Sequence, residues 1–200
     1  MSAGVVAATV IAGIGVGALG VVPHSLAAHL ETLAEVFLGV VLFAIGIEIG
    51  QSREAWRAIR RLGVRALLVP AGVAVGSLGG AGVAGWVLHL PLRHAGAIGA
   101  GFGWYSLSGI MLTRLVNLET GALAFLSNVA REFLAILVTP LVARSFGRAV
   151  AIAPGGATTM DVTLAVVVRA AGPEVALVAF INGVVLSSLV PIMVTILGAR

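Results

Sequence analysis

The stretch Asn117-Leu-Glu-Thr-Gly-Ala-Leu-Ala-Phe-Leu-Ser-Asn128-Val-Ala-Arg131-Glu132-Phe-Leu-Ala-Ile136 decides how this chain is read. Asn128, Arg131 and Glu132 stand at i, i+3 and i+4, so they share one helix face. Thr120, Gly121, Ala124, Ala135 and Thr139 extend that face into a small and polar stripe. The opposite face is Leu, Phe, Ile and Val. An apolar run of this length is a membrane-crossing helix, and charges inside such a helix face protein or a cavity rather than lipid.

The rest of the chain agrees. Of its 200 residues, 60% are hydrophobic and 10% charged. A soluble domain carries about 25% charged residues. So few charges cannot build a water-facing surface, which predicts an all-α integral membrane protein in one polytopic domain over residues 1–200. The net charge of +4 is not a nucleic-acid signal, because the basic residues, all arginines, fall mainly between apolar runs. With no cysteine there is no disulfide, thiolate nucleophile or Cys-ligated metal. No phosphate loop, paired-His metal spacing or nucleophile elbow occurs, so neither enzyme chemistry nor a cofactor or metal is expected. His24, His29, His89 and His94 read as solvated loop residues.

Seven membrane segments are predicted, at about Ala3–Val22, Thr32–Gly50, Ala66–Leu88, Ala95–Thr113, Leu118–Val142, Ala149–Ala170 and Val175–Leu197. The first is read as a retained segment; the alternative is a cleavable signal ending near Ala27-Ala28. Between the second and third lies the densest basic loop, with Arg53, Arg57, Arg60, Arg61 and Arg65. The positive-inside rule places it in the cytoplasm. Counting outwards puts the N-terminus inside and the C-terminus outside. Arg114 and Arg169 then also face the cytoplasm, while Arg144 and Arg148 fall on the wrong side. Small-residue stripes at Gly13/Gly17, Gly72/Gly76/Gly80 and Gly99/Gly103 predict close helix packing.

Function is sought where the apolar rule is broken, since a charge at the centre of a span costs about 3 kcal/mol or more. Glu132 is the first such place, as a working carboxylate or as half of an Arg131–Glu132 pair acting as glue. The second is Ala-Ile-Ala-Pro154-Gly155-Gly156-Ala-Thr158-Thr159-Met-Asp161-Val-Thr163. Pro-Gly-Gly cannot continue a regular helix. Thr158 and Asp161 have the spacing of a helix-start box, which predicts a helix beginning inside the membrane with Asp161 in its first turn. Broken helices of this kind form substrate and ion sites in transporters. The third is Gly99 to Gly109, whose Trp104, Tyr105, Ser106 and Ser108 read as a cavity lining. Asn182 and Glu35 are weaker candidates; Glu35 could simply lie near the outer interface, and Glu48 lies near the inner one.

The blocks Gly101-Phe-Gly-Trp-Tyr-Ser-Leu-Ser-Gly-Ile110, Ala130-Arg-Glu132 and Gly156-Ala-Thr-Thr-Met-Asp161 resemble those of the bacterial lysine exporter (LysO) family. The resemblance runs from about Glu35 to the C-terminus. It implies an inner-membrane transporter exporting L-lysine in exchange for protons, with Glu132 and Asp161 as the transport carboxylates. Asn128, Arg131, Thr158, Thr159, Trp104, Tyr105, Ser106 and Ser108 are the further site candidates. It also implies a cation/proton antiporter-like fold of two inverted five-helix repeats. On that template residues 1–50 end the first repeat, 63–198 form the second, and the Gly-rich first span opposes the broken sixth. Roughly three earlier helices are then absent from this chain, to come from a small membrane subunit or a second copy. Two other readings stay open: a monovalent cation/proton antiporter and a non-catalytic membrane subunit.

Overall fold

The computed structural model describes residues 67–199 continuously and scattered positions between 8 and 57. The chain divides into two compact units, Met1–Ser52 and Arg53–Arg200. The first two predicted spans, with Glu35, Glu48 and His24, lie largely outside the described residues. The described positions of the first unit are mostly helical and exposed.

In the second unit, the described residues form helices joined by short turns, without strands. They form α1 (Leu68–Val87), α2 (Leu92–Gly99), α3 (Tyr105–Leu115), α4 (Leu118–Phe146), a 3-10 segment (Val150–Met160), α5 (Leu164–Ala171), a 3-10 turn (Pro173–Val175) and α6 (Ala176–Gly198). Local sequence sets these limits. The Asn117 side chain accepts the Thr120 N–H at 2.8 Å and caps α4. Glu119 in the first turn and Arg144 in the last suit the helix dipole. Gly147 and Gly172, at φ 95° and 97°, end α4 and α5 in a conformation that favours glycine.

The fourth predicted segment is not one helix. It is interrupted at Gly101-Phe102-Gly103, where Phe102 and Gly103 have φ 49° and 103°. The sixth is interrupted as expected, with Gly156 at φ 59° and ψ −127°. Among the described residues, three helices are long and apolar enough to cross a membrane: α1, α4, and α6 with its preceding turn.

The two interrupted segments are hairpins, not crossings, as α6 shows when used as a ruler. Near its start, Ala179 packs with Ile152 and Val167, which lie on the entering and returning arms of the sixth segment. Arg148 and Glu174, flanking that segment, approach to 3.6 Å. Such an exposed pair contributes little stability. It does show that the segment begins and ends at the same place. Midway along α6, Gly183 meets Met160 and Ala157, and Ser187 Oγ donates to Met160 Sδ at 3.7 Å. Near its end, the Ile196 carbonyl accepts from Arg93 Nη2 at 3.2 Å, and Gly198 faces Leu112 and Leu115. Arg93 opens α2 and Leu115 closes α3. This hairpin therefore enters and leaves at the opposite end of α6.

The helix α4 confirms the arrangement. Gly121 packs on Thr113 and Gly109, Asn128 on the α2–α3 turn, and Arg131 on Pro154. Pro140 and Arg144 line a cleft with α5. Within this unit, α1 with its hairpin and α4 with its hairpin thus run in opposite senses.

The small-residue stripes are used selectively. Gly72, Gly76, Gly80 and Gly13 have open space where a side chain would stand. The close approach on α1 is made instead by Ser77, Ala81 and Gly85, which meet Gly99 and Ala95. A glycine stripe permits close packing, but the neighbour's position decides which face is used.

Candidate functional site

The site lies where the hairpin tips meet. Ala157 N–H donates to the Phe102 carbonyl at 2.8 Å, joining the two breaks. A fully buried phenylalanine at positive φ costs on the order of 1–3 kcal/mol, and such strain persists only where surroundings hold it. Asn128 holds it from α4. Its Oδ1 accepts the Gly103 N–H at 2.7 Å, and its Nδ2 donates to the carbonyls of Ile98 at 3.2 Å and Ala124 at 2.8 Å. Ser108, also buried, donates to the Trp104 carbonyl at 2.8 Å.

Arg131 holds the other break. Nε donates to the Pro154 carbonyl at 3.1 Å, Nη2 to the Ala153 carbonyl at 3.3 Å, and Nη1 to Ser77 Oγ at 2.8 Å. The non-helical turn at Gly156 takes away the N–H groups that would otherwise meet these carbonyls, and a guanidinium fork satisfies several at once. The proposed Arg131–Glu132 glue pair is not formed. Adjacent residues on a helix point about 100° apart, and these two serve different neighbours.

Glu132 is buried, 8% exposed, near the middle of α4. Its carboxylate has no hydrogen-bond or ion-pair partner among the described residues. Asp161 lies within electrostatic reach of it, and Tyr105 within reach of both. Tyr105 packs edge-on against Phe125 with ring centroids 5.5 Å apart. Three elements thus bring these groups together: α4, the tip of the sixth segment and the start of α3.

Asp161 is not in the first turn of a helix. It stands before α5, exposed at the hairpin tip, where its Oδ1 accepts the Val162 N–H at 2.5 Å. The box fails because Thr158 Oγ1 turns inward, donating to the Gly155 carbonyl at 2.9 Å and meeting Thr163 Oγ1 at 3.1 Å. Thr159 Oγ1 donates to the Gly156 carbonyl at 2.8 Å and accepts from Asn182 Nδ2 at 2.9 Å. Thr158 and Thr159 therefore build the tip. Trp104 and Ser106 are half-buried beside Tyr105.

Two polar residues matter more than the sequence suggested. Ser77 also donates to the Gly99 carbonyl at 3.0 Å, linking Arg131 to the first hairpin. It is the single hydroxyl in α1, a signal that was available. Asn182 is fully buried, ties α6 to Gly156 and Thr159, and keeps its Oδ1 without a partner.

This constellation sits within a match to the family model described as lysine exporter LysO, over residues 7–197. The chain belongs to the lysine exporter LysO family. It is similar to the Escherichia coli (strain K12) protein named lysine exporter LysO, with 38% identity over 172 residues, 86% of this chain and 56% of that protein. It is also similar to a putative lysine exporter of Haemophilus influenzae, with 31% identity over 153 residues, 76% of this chain and 77% of that protein. The chain thus spans about half the length of the Escherichia coli relative. No solved structure matches this LysO-family chain.

Proposed function

We propose that this chain exports L-lysine and close analogues in exchange for protons, with Glu132 and Asp161 as the carboxylates that alternate between a proton and the substrate's ammonium groups. The observation that carries this reading is Glu132, a buried carboxylate in mid-helix whose neighbouring arginine is engaged elsewhere. A buried acid without a protein cation is expensive unless a ligand or proton neutralises it. A second acid at a hairpin tip suits a substrate with two amines. The lysine carboxylate would meet the start of α3, where first-turn N–H groups lack helical partners. Membership of the LysO family supports lysine as the cation.

The same reading orients the chain. Arg144, Arg148 and Arg169 lie at the end of the unit where α1 begins, since Val69 packs on Ile152, Val167 and Ala179; in the sequence α1 follows the stretch carrying Arg53 to Arg65. Arg93 and Arg114 lie at the other end. With the arginine-rich end in the cytoplasm, the C-terminus is outside. Treating the two segments as hairpins moves Arg144 and Arg148 to the expected side and Arg114 to the outer one. The division into repeats at 1–50 and 63–198 is part of the same proposal.

The test is efflux of labelled lysine from cells and from proteoliposomes, with Glu132→Gln and Asp161→Asn tested separately. Export at the normal rate in both variants would overturn the proposal. Because paired carboxylates suit any monovalent cation, Na⁺ or K⁺ exchange is the second reading. Proton flux driven by Na⁺ or K⁺ but not by lysine would establish it.

A further inference from the structure

A second cleft lies away from the hairpin tips, between α4 and α5. Pro140, Arg144, Ala165, Val166, Arg169 and Ala170 line a cleft of about 450 Å³. Ligand pockets commonly measure about 300–1,000 Å³. Its two arginines come from different elements, in the last turns of α4 and α5. Both are exposed, and neither has a hydrogen-bond or ion-pair partner among the described residues. The nearby Arg148 is paired with Glu174. The rest of the cleft is apolar. Leu137 and Leu141, 73% and 63% exposed, continue its α4 side along the helix.

A helix C-terminus favours one cation. That accounts for each arginine alone but not for their convergence on one cleft. Two guanidinium forks above an apolar floor fit a phosphate group carried on an acyl-chain body. Basic pockets between helices at the cytoplasmic face bind such headgroups.

We propose that Arg144 and Arg169 form a binding site for a phosphate group, presented by an anionic phospholipid, that bridges α4 and the returning arm of the second hairpin. The site does not depend on which cation the chain transports.

The test uses the whole chain purified in neutral detergent. Its unfolding temperature is read after adding phosphatidylglycerol, phosphatidylcholine or inorganic phosphate, and retained lipid is counted by native mass spectrometry. Phosphatidylglycerol is expected to raise the unfolding temperature and remain bound, with phosphatidylcholine ineffective. In Arg144→Gln/Arg169→Gln both effects should be lost. A shift from inorganic phosphate alone would identify a free anion as the ligand and overturn the lipid assignment. An unchanged phosphatidylglycerol effect in the double variant would overturn the site. If that variant does not fold, Ala165→Leu fills the cleft while keeping both charges and should abolish lipid retention. Undiminished retention there would also overturn the proposal.

Discussion

The Phe102 carbonyl accepts the Ala157 N–H at 2.8 Å, so the backbones of two hairpins entering from opposite ends join at their tips. Neither break could stand alone in an apolar interior, because freed backbone groups there must find partners. Each supplies one for the other, and Asn128 and Arg131 supply most of the remainder.

The junction predicts the effect of a single methyl group. Gly156 sits at φ 59°, and a Cβ there would strike the Phe102 carbonyl and the Arg131 guanidinium. Gly156→Ala should lower stability by about 2–4 kcal/mol, combining strain with displaced hydrogen bonds. Thermal unfolding in detergent measures this. A variant as stable as the parent would show that the tips do not close as described.

Arg131 and Glu132 should separate cleanly despite being neighbours. Arg131→Gln leaves the Pro154 and Ala153 carbonyls short of donors and should cost about 1–3 kcal/mol. Arg131→Lys should recover only part, since one ammonium cannot reproduce the fork. A stable Arg131→Gln protein that has lost lysine affinity would instead make Arg131 a substrate contact.

Glu132→Gln should abolish lysine-coupled proton movement while unfolding at the same temperature or higher, because an uncompensated buried carboxylate is itself a cost. Unfolding scans and a pH-sensitive dye in proteoliposomes supply the two readouts. A large drop in unfolding temperature would return Glu132 to a structural role.

The hairpins predict sidedness. The chain has no cysteine, so single cysteines report without background. At Arg93 and Arg114 they should react with an impermeant maleimide in intact cells. At Arg148 and Glu174 they should react only after the membrane is opened. If the fourth and sixth segments crossed the membrane, Arg114 and Arg148 would exchange behaviour.

Much of this was legible in residue order. The stripe through Asn128, Arg131 and Glu132 depends only on helical periodicity, and the Pro154-Gly155-Gly156 break only on backbone chemistry. The capped start of α4 needed nothing beyond Asn117 and its neighbours. The break at Gly101–Gly103 was harder to read. Phe102 adopts positive φ under tertiary constraint, and glycines at helical spacing look like a packing face. The helix start expected at Thr158–Asp161 fails for the same reason: Thr158 has a local capping option, but Thr163 and Gly155 compete for its hydroxyl once the hairpin closes.

By itself, then, the sequence determined the solvent, the helical class, the apolar runs and the two costly acids, because hydropathy and backbone propensity act within a few residues. Only the tertiary structure decided which runs cross and which turn back. A hairpin and a crossing can contain the same residues in the same order. They differ in whether Arg93 and Leu115 reach the same end of α6, and whether Ile152 meets Val167. Those contacts span distant parts of the chain, and they also bring Glu132, Asp161 and Tyr105 to one place.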